Sequence, residues 1–251
     1  SIIDLRLDNK KAFMPFVTAG DPDLDFTVSV IKTLERCGSS MVEIGIPYSD
    51  PIADGPVIQA SYTRALEGGV KLSQILAVID AVSSAVTIPL VTMVSYAMVH
   101  RYGLANYVRD ARAVGLAGAI VPDLLVEEAD DLARICQDHD FSLIQLVTPT
   151  TPKERAVRIA NTSTGFLYYV SVTGITGERT ELPADLVENV GWLRSQTDLP
   201  ICIGFGISQP EHVRLLAAVA DGLIVGSAIV KWIAQCADVD REIVEREIEQ
   251  Y

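Results

Sequence analysis

The sequence has no long apolar run, few aromatic residues, few histidines and no excess of positive charge. A membrane-spanning helix needs about 20 consecutive apolar residues, and no stretch here reaches that length. The net charge of −13 makes nucleic acids and anionic membranes poor partners, because both would repel the chain. Three histidines without HxxH or HExxH spacing give zinc no ligand set, so we expect no metal.

Cysteine is also scarce. Cys37, Cys136, Cys202 and Cys236 lie far apart and form no CxxC pair, unlike the dense framework of a small secreted domain. The first residues, SIIDLRLDNKK, lack the cationic start and apolar core of a secretory signal. We therefore expect buried, reduced thiols and a cytoplasmic location.

What the chain does have is a repeating alternation of short apolar runs and longer amphipathic stretches, which predicts parallel strands joined by helices. Eight strands are predicted, at Phe13–Thr18, Met41–Gly45, Leu90–Val94, Gly118–Val121, Ser142–Val147, Phe166–Val172, Ile201–Gly204 and Gly222–Val225. No linker interrupts the series, so we predict one domain over residues 1–251, a single (β/α)₈ TIM barrel of the α/β class. A doubly wound open sheet is the alternative, because periodicity does not reveal whether a sheet closes.

The connection between the second and third predicted strands is longer than the others. It contains two helical patterns, Val57–Glu67 and Leu72–Val82. In barrels of this kind, the loops after the carboxyl ends of the strands carry the chemistry. The enlarged loop after strand 2 is therefore a candidate cover for an active site.

Glu43 is the first candidate functional residue. Alternation along MVEIGIP would turn the branched residues toward the helices and Glu43 into the barrel. A poorly hydrated carboxyl group has a raised pKa and can hold a proton near neutral pH. The structural alternative is a glutamate paired with an arginine or a backbone amide. Because burying an unpaired acid is costly, we interpret Glu43 as functional.

The next segment, PYSDPIADGP, contains Asp50 and Asp54 between proline and glycine residues that restrict its backbone. Asp54 is a candidate functional carboxylate. It could equally cap a helix that begins near Pro56, a favoured first helical residue. The residues alone leave both interpretations of Asp54 open, whereas Asp50 is interpreted as a turn former.

Three glycine-bearing segments, VTGITGE, GFGIS and VGSAIV, follow the last three predicted strands. Loops at these places in a barrel often bind phosphate through backbone amides and a helix N-terminus. Ser227 adds a hydroxyl group at the predicted helix start. Ordinary turns are the alternative, but three such segments together favour a phosphate site. Phe205, between two glycines, is expected to line a pocket for a flat apolar ligand.

Several segments together resemble the tryptophan synthase alpha family: FMPFVTAGDPD, EIGIPYSDPIADGPVIQAS, YYVSVTGITGER, and GFGIS followed by VGSAIVK. They occur in the family order from about Phe13 to Lys231, and the second segment is highly specific. The resemblance implies a lyase of tryptophan biosynthesis. Such an enzyme cleaves indole-3-glycerol phosphate to indole and glyceraldehyde 3-phosphate by a retro-aldol, acid–base reaction.

The resemblance also implies roles for individual residues. Glu43 matches the catalytic acid that protonates C3 of the indole ring, and Asp54 matches the aspartate that accepts a hydrogen bond from indole N1–H. Tyr168 matches a tyrosine that orients the glutamate. The matching substrate-binding positions are Phe16 and Phe205 for indole, Gly177, Gly206, Gly226 and Ser227 for phosphate, and Thr176 for ordering the loop around Asp54.

By the same resemblance the chain is expected to bind a tryptophan synthase beta subunit in an α₂β₂ heterotetramer. Pyridoxal phosphate would belong to that partner, so no cofactor is expected in this chain. The sequence departs from the family at Ser95 and Ala97, where a Tyr-x-Asn pattern is common in the segment that faces the partner. Two other functions stay open: a barrel retained mainly as an allosteric partner of the beta subunit, and a phosphosugar isomerase or epimerase on the same scaffold.

Overall fold

The computed structural model describes residues 2–52, 54–171, 184–204, 207 and 210–251. Strands and helices alternate along them. The strands are β1 Ala12–Thr18, β2 Val42–Gly45, β3 Leu90–Met93, β4 Leu116–Ile120, β5 Ser142–Ile144, β6 Leu146–Val147, β7 Leu167–Val170, β8 Ile201–Gly204 and β9 Gly222–Val225. The helices are α1 Ile2–Leu7, α2 Leu24–Arg36, α3 Pro56–Glu67, α4 Leu72–Ser83, α5 Tyr96–Tyr102, α6 Leu104–Ala113, α7 Asp130–Asp138, α8 Lys153–Thr162, α9 Ala184–Arg194, α10 Pro210–Leu216, α11 Ser227–Ala234 and α12 Arg241–Gln250. Among these helices, none has the length and apolar composition that a bilayer span requires.

The strands form a closed barrel. Neighbouring strands are parallel, in the order β5-β4-β3-β2-β1-β9-β8-β7-β6. The two ends of this order, β5 and β6, are halves of one predicted strand that is interrupted at Gln145. The first half pairs with β4 and the second with β7, and the Tyr168 amide donates to the Gln145 carbonyl. A strand divides its pairing in this way where a staggered barrel closes, so the (β/α)₈ barrel is confirmed and the open sheet is wrong.

Strand β2 shows how side chains divide between the barrel interior and the helix layer. Val42 and Ile44 pack in the apolar cluster that contains residues of helices α2 and α4. Met41, directly before β2, belongs instead to the interior cluster, with Met14 of β1. The alternation of side chains therefore places Glu43 on the interior face, as the sequence predicted.

The connection after β2 holds two helices, α3 and α4, so the enlarged loop is also confirmed. Helix α3 is attached to the end of β1 at two points. The hydroxyl groups of Thr18 and Ser61 lie 2.6 Å apart, and Arg64 donates to both carboxylate oxygens of Asp21, at 2.8 and 2.7 Å. These contacts fix the helix that begins two residues after Asp54.

The Asp21–Arg64 pair predicts a measurable contribution to stability. The Asp21 side chain is 1% exposed, so removing it in Asp21→Ala breaks a bidentate pair in a poorly hydrated place. We expect the free energy of unfolding in urea to fall by about 2 kcal/mol, less than for a fully buried pair because Arg64 is 36% exposed. Asp131→Ala, at a pair whose aspartate is 80% exposed, is the control and should change stability little. Equal effects of the two substitutions would contradict the prediction.

Candidate active site

The carboxyl ends of the strands surround a cavity of about 250 Å³. Its wall is mostly apolar, with Met93, Leu146 and Ile224 contributed by three different strands. Residues that the sequence singled out also line it: Phe16, Glu43, Asp54, Tyr168, Gly226 and Ser227. The structure thus gathers six predicted site residues around one cavity at the end of the barrel where such enzymes carry their chemistry.

The other four predicted residues, Thr176, Gly177, Phe205 and Gly206, lie outside the described residues. Their assignments to the substrate's indole and phosphate groups stay predictions.

Glu43 is buried, with 2% of its surface exposed. Its Oε1 atom makes no hydrogen bond with any described residue, and the carboxyl group has no ion pair in that part of the chain. Burial, together with a smaller contribution from the charge of Asp54, raises the pKa of Glu43 to about 8. A pairing with arginine therefore does not account for this buried acid, which carries its proton at neutral pH.

Asp54 is only partly buried and lies in the loop between β2 and α3. Its pKa is raised to about 6, mainly by burial. The hydroxyl group of Tyr48 opposes the rise by donating to Oδ2 at 3.5 Å, and the charge of Asp123 adds to it. Helix α3 begins at Pro56 with Gly55 as its N-cap residue, so the interpretation of Asp54 as the helix cap is wrong. The exposed Asp50 accepts a hydrogen bond from the adjacent Ser49 hydroxyl.

The two carboxyl groups therefore differ in charge near neutral pH. Between about pH 6 and pH 8, Asp54 is ionised while Glu43 is protonated. Two carboxyl groups whose environments separate their pKa values can serve as a proton donor and as a stabiliser of positive charge in one site.

Glycines on two strands make room for the aromatic rings of the cavity. A Cβ atom on Gly204 would lie 2.4 Å from the Tyr168 hydroxyl oxygen, and one on Gly45 would lie 2.4 Å from Cζ of Phe16. Real Cβ atoms do not approach other atoms so closely, so these rings occupy their positions because the side chains beside them are absent. Burial raises the pKa of Tyr168, and the charges of Glu43 and Asp54 add to the rise. Tyr168 lines the same cavity as both carboxyl groups.

Helix α11 directs its N-terminus at the cavity. Gly226 is its N-cap residue and Ser227 its first residue, and both line the cavity wall. The first backbone N–H groups of a helix lack intrahelical acceptors and attract anions. The geometry therefore suits the phosphate role predicted for these two residues.

Sequence reasoning missed several residues of the site. Tyr48, which donates to Asp54, stands in a quoted motif but was not singled out. Ile224 and Met93 also line the cavity, and the signal for them is the alternation of side chains along β9 and β3, which turns both into the barrel. Tyr62 was also missed, and its spacing from Ile58 and Ala65 marks the buried face of α3.

A protonated carboxyl group and an ionised one, both facing an apolar cavity at the carboxyl end of a (β/α)₈ barrel, define an acid–base enzyme of the barrel class. Similarity to known proteins identifies the family within this class. A family model described as "Tryptophan synthase alpha chain" matches residues 2–251. The chain belongs to the tryptophan synthase alpha chain family, whose members are carbon–carbon lyases that cleave indole-3-glycerol phosphate in tryptophan biosynthesis.

Relatives and solved structures agree with this membership. The tryptophan synthase alpha chain of Rhodopirellula baltica is 59% identical over 237 residues, which cover 93% of this chain and 85% of that one. The alpha chain of Caldanaerobacter subterraneus is 44% identical over 232 residues, 92% of this chain and 88% of its own. The tryptophan synthase A-subunit of Pyrococcus furiosus has a TM-score of 0.87 at 34% identity, with 95% and 96% of the two chains covered. A chain from a structure of the α₂β₂ complex of that organism has a TM-score of 0.88 at 35% identity, with the same coverage.

The raised pKa of Glu43 predicts a pH-dependent loss of stability. The carboxyl group titrates near 4.5 in an unfolded chain and at about 8 in the folded one, so the folded state binds more protons between these values. The free energy of unfolding therefore falls as pH rises from about 4.5 to about 8. Glu43→Gln removes this loss, and we expect the variant to match the parent at pH 4 and to exceed it at pH 9 by up to about 5 kcal/mol.

Urea unfolding at the two pH values measures the difference. Glu67→Gln, an exposed position at the end of α3, is the control and should show no such dependence on pH. A stability gain of Glu43→Gln that is the same at pH 4 and pH 9 would show that the Glu43 carboxyl group is not perturbed.

Proposed function

We propose that this chain cleaves indole-3-glycerol phosphate with Glu43 as the proton donor and Asp54 as the carboxylate beside the indole nitrogen. The observation that carries the proposal is the pair of carboxyl groups, one protonated and one ionised near neutral pH, that face one apolar cavity. One short segment carries both groups, because Glu43 lies on strand β2 and Asp54 lies on the loop between β2 and α3.

The reaction needs an acid because an indole carbon is a poor leaving group until C3 is protonated. Glu43 gives its proton to C3, and the ring then accepts the electron pair of the breaking bond between C3 and the glycerol carbon. The hydroxyl group on that glycerol carbon becomes the aldehyde, and its proton returns to the Glu43 carboxylate. The products are indole and glyceraldehyde 3-phosphate, and the enzyme recovers its starting protonation state.

Asp54 supplies the opposite charge. Positive charge develops at indole N1 when C3 is protonated, and an ionised carboxylate that accepts the N1–H hydrogen bond stabilises it. Tyr168 lines the same cavity as both carboxyl groups, and we assign it to orienting Glu43. The apolar wall, with Phe16 and the predicted Phe205, suits a flat heterocycle and excludes water from the reacting carbon.

The phosphate group of the substrate is assigned to the start of α11. Gly226 and Ser227 stand at this helix N-terminus, on the wall of the same cavity as the two carboxyl groups. Gly177 and Gly206 are proposed to complete the anion site, and Thr176 to order the loop that carries Asp54. A helix N-terminus binds phosphate without a lysine, which fits a chain of net charge −13.

Two other functions fit the cavity less well. A phosphosugar isomerase would use polar groups along a hydrophilic sugar, whereas most of this wall is apolar. A barrel kept only as an allosteric partner would not need an uncompensated buried acid, which destabilises the folded chain at neutral pH.

We also propose a beta-subunit partner, which would hold the pyridoxal phosphate, while this chain works as one domain without a cofactor of its own. The carboxyl end of the barrel exposes apolar side chains, Ile52 at 93% and Leu125 at 52%, that suit docking. Ala97 is exposed at the same end, whereas Ser95 is buried and donates to Asp123. Cys37 is exposed and Cys236 is partly exposed, so the expectation that all four cysteines are buried is wrong. None of the four forms a disulfide, which supports a cytoplasmic location.

Removal of either carboxyl group tests the proposal. Glu43→Gln keeps the shape of the side chain but has no acidic proton, so we expect no measurable indole release. Asp54→Asn should slow cleavage by about a hundredfold or more, the scale of a lost electrostatic contact in a transition state. Indole release by the purified chain, with and without a beta subunit, measures both, and Glu67→Gln and the exposed Asp80→Asn serve as matched controls. Full turnover by Glu43→Gln would defeat the assignment.

The pH dependence of kcat/KM gives a separate test. Activity should rise as Asp54 ionises near pH 6 and fall as Glu43 loses its proton near pH 8. We expect a bell-shaped profile in the parent chain and loss of the acidic limb in the residual activity of Asp54→Asn. A profile that keeps rising above pH 9 would show that no protonated carboxyl group is required.

A further inference from the structure

Tyr62 lies on the inner face of α3, and the proposed reaction does not use it. It is 1% exposed, its ring packs with Phe16, Ile58 and Val230, and the ring of Tyr48 lies 5.6 Å away at an angle of 53°. A phenylalanine ring would fill the same space. The hydroxyl group is therefore the part of the side chain that packing does not explain.

This hydroxyl group lies beside the interior face of β2. A Cβ atom on Gly45 would be only 2.8 Å from the Tyr62 hydroxyl oxygen, so the glycine leaves the space that the oxygen enters. Gly45 is two residues beyond Glu43, and side chains at this spacing share one face of a strand about 7 Å apart. The tyrosine oxygen therefore reaches the strand face that carries the Glu43 carboxyl group.

Neither group has a partner within the part of the chain that the structure describes. The Tyr62 hydroxyl oxygen and Glu43 Oε1 are both buried without a hydrogen bond. Buried polar groups in folded proteins are nearly always bonded, either to protein atoms or to an internal water molecule. Burial raises the pKa of Tyr62 well above its ordinary value, and the charges of Asp54 and Glu43 add to this. The phenol thus stays protonated and acts toward a carboxylate as a donor.

Two contacts fix the position of α3 on either side of Tyr62. Ser61, the residue before Tyr62, is bonded to Thr18 of β1, and Arg64, two residues after Tyr62, is bonded to Asp21. The two contacts flank Tyr62 in sequence. They fix the part of α3 that carries Tyr62 relative to β1.

We propose that Tyr62 is a positioning residue for Glu43, toward whose carboxyl group its hydroxyl donates a hydrogen bond through one internal water molecule. A donor favours the ionised carboxyl group, so it limits how far burial raises the pKa of Glu43. It also steadies the carboxylate in the interval between proton donation to C3 and the return of a proton from the glycerol hydroxyl group. The inference rests on the proposed function in taking Glu43 as the acid.

Tyr62→Phe removes the oxygen and keeps the ring. In protein labelled with ¹³C at the glutamate side-chain carboxyl groups, NMR follows the titration of Glu43, whose resonance is assigned by its loss in Glu43→Gln. We expect the titration midpoint to move up by about one pH unit in Tyr62→Phe. We also expect kcat to fall about tenfold with KM within about twofold, and the alkaline limb of the profile to move to higher pH.

The matched control is Tyr107→Phe. Tyr107 is equally buried, but its hydroxyl group is bonded to Thr92 at 2.8 Å and its ring belongs to the helix-layer cluster. This variant should leave the Glu43 titration and kcat unchanged. The same midpoint in Tyr62→Phe as in the parent, or an equal shift in Tyr107→Phe, overturns the inference. The NMR titration needs no turnover, so a failure of the proposed function, seen as an active Glu43→Gln, is distinguishable from a failure of this one.

Discussion

The withdrawal of the Glu43 carboxyl group from water is the constraint on which the rest of the site depends. On the interior face of a barrel strand, at 2% exposure, an ionised carboxylate would lose most of its hydration, so the group keeps its proton near neutral pH. The raised pKa therefore keeps the proton on Glu43 at pH 7, where it is available for transfer to carbon. The apolar wall of the cavity maintains that condition, because a wetter wall would return the pKa toward its ordinary value.

The second carboxyl group must remain ionised only a short distance away, and the architecture explains how. Asp54 stands on a loop rather than on a strand, is less buried than Glu43, and receives the Tyr48 hydroxyl bond. Both carboxyl groups are subject to the same kind of desolvation, but the depth of each in the barrel differs. A position on a strand for one and on the following loop for the other therefore separates the two pKa values, with no contribution from a cation among the described residues.

The parts of this arrangement that follow a local period could be predicted from the sequence. Alternation along MVEIGIP placed Glu43 inside, and helical spacing placed α3 and α4 close to their observed bounds. The interruption at Gln145 could not be predicted, because it depends on which neighbour each half of the strand pairs with. The sequence also could not decide whether Asp54 is a helix cap or a site residue, since both roles use the same residue types before a proline. The approach of Tyr62 to Gly45 is likewise a tertiary contact between distant elements.

The helix beside the two carboxyl groups, α3, is attached to the barrel by specific contacts. The buried acid lowers stability as pH rises, while the Asp21–Arg64 and Thr18–Ser61 contacts fix the helix beside it. These contacts also bear on the electrostatics of the site. Since the charge of Asp54 raises the pKa of Glu43, any movement of α3 that changed their separation would change the proton affinity of the acid. The attachment of one helix to β1 therefore sets the electrostatic coupling between the two carboxyl groups, and with it the pH range in which one is charged and the other is not.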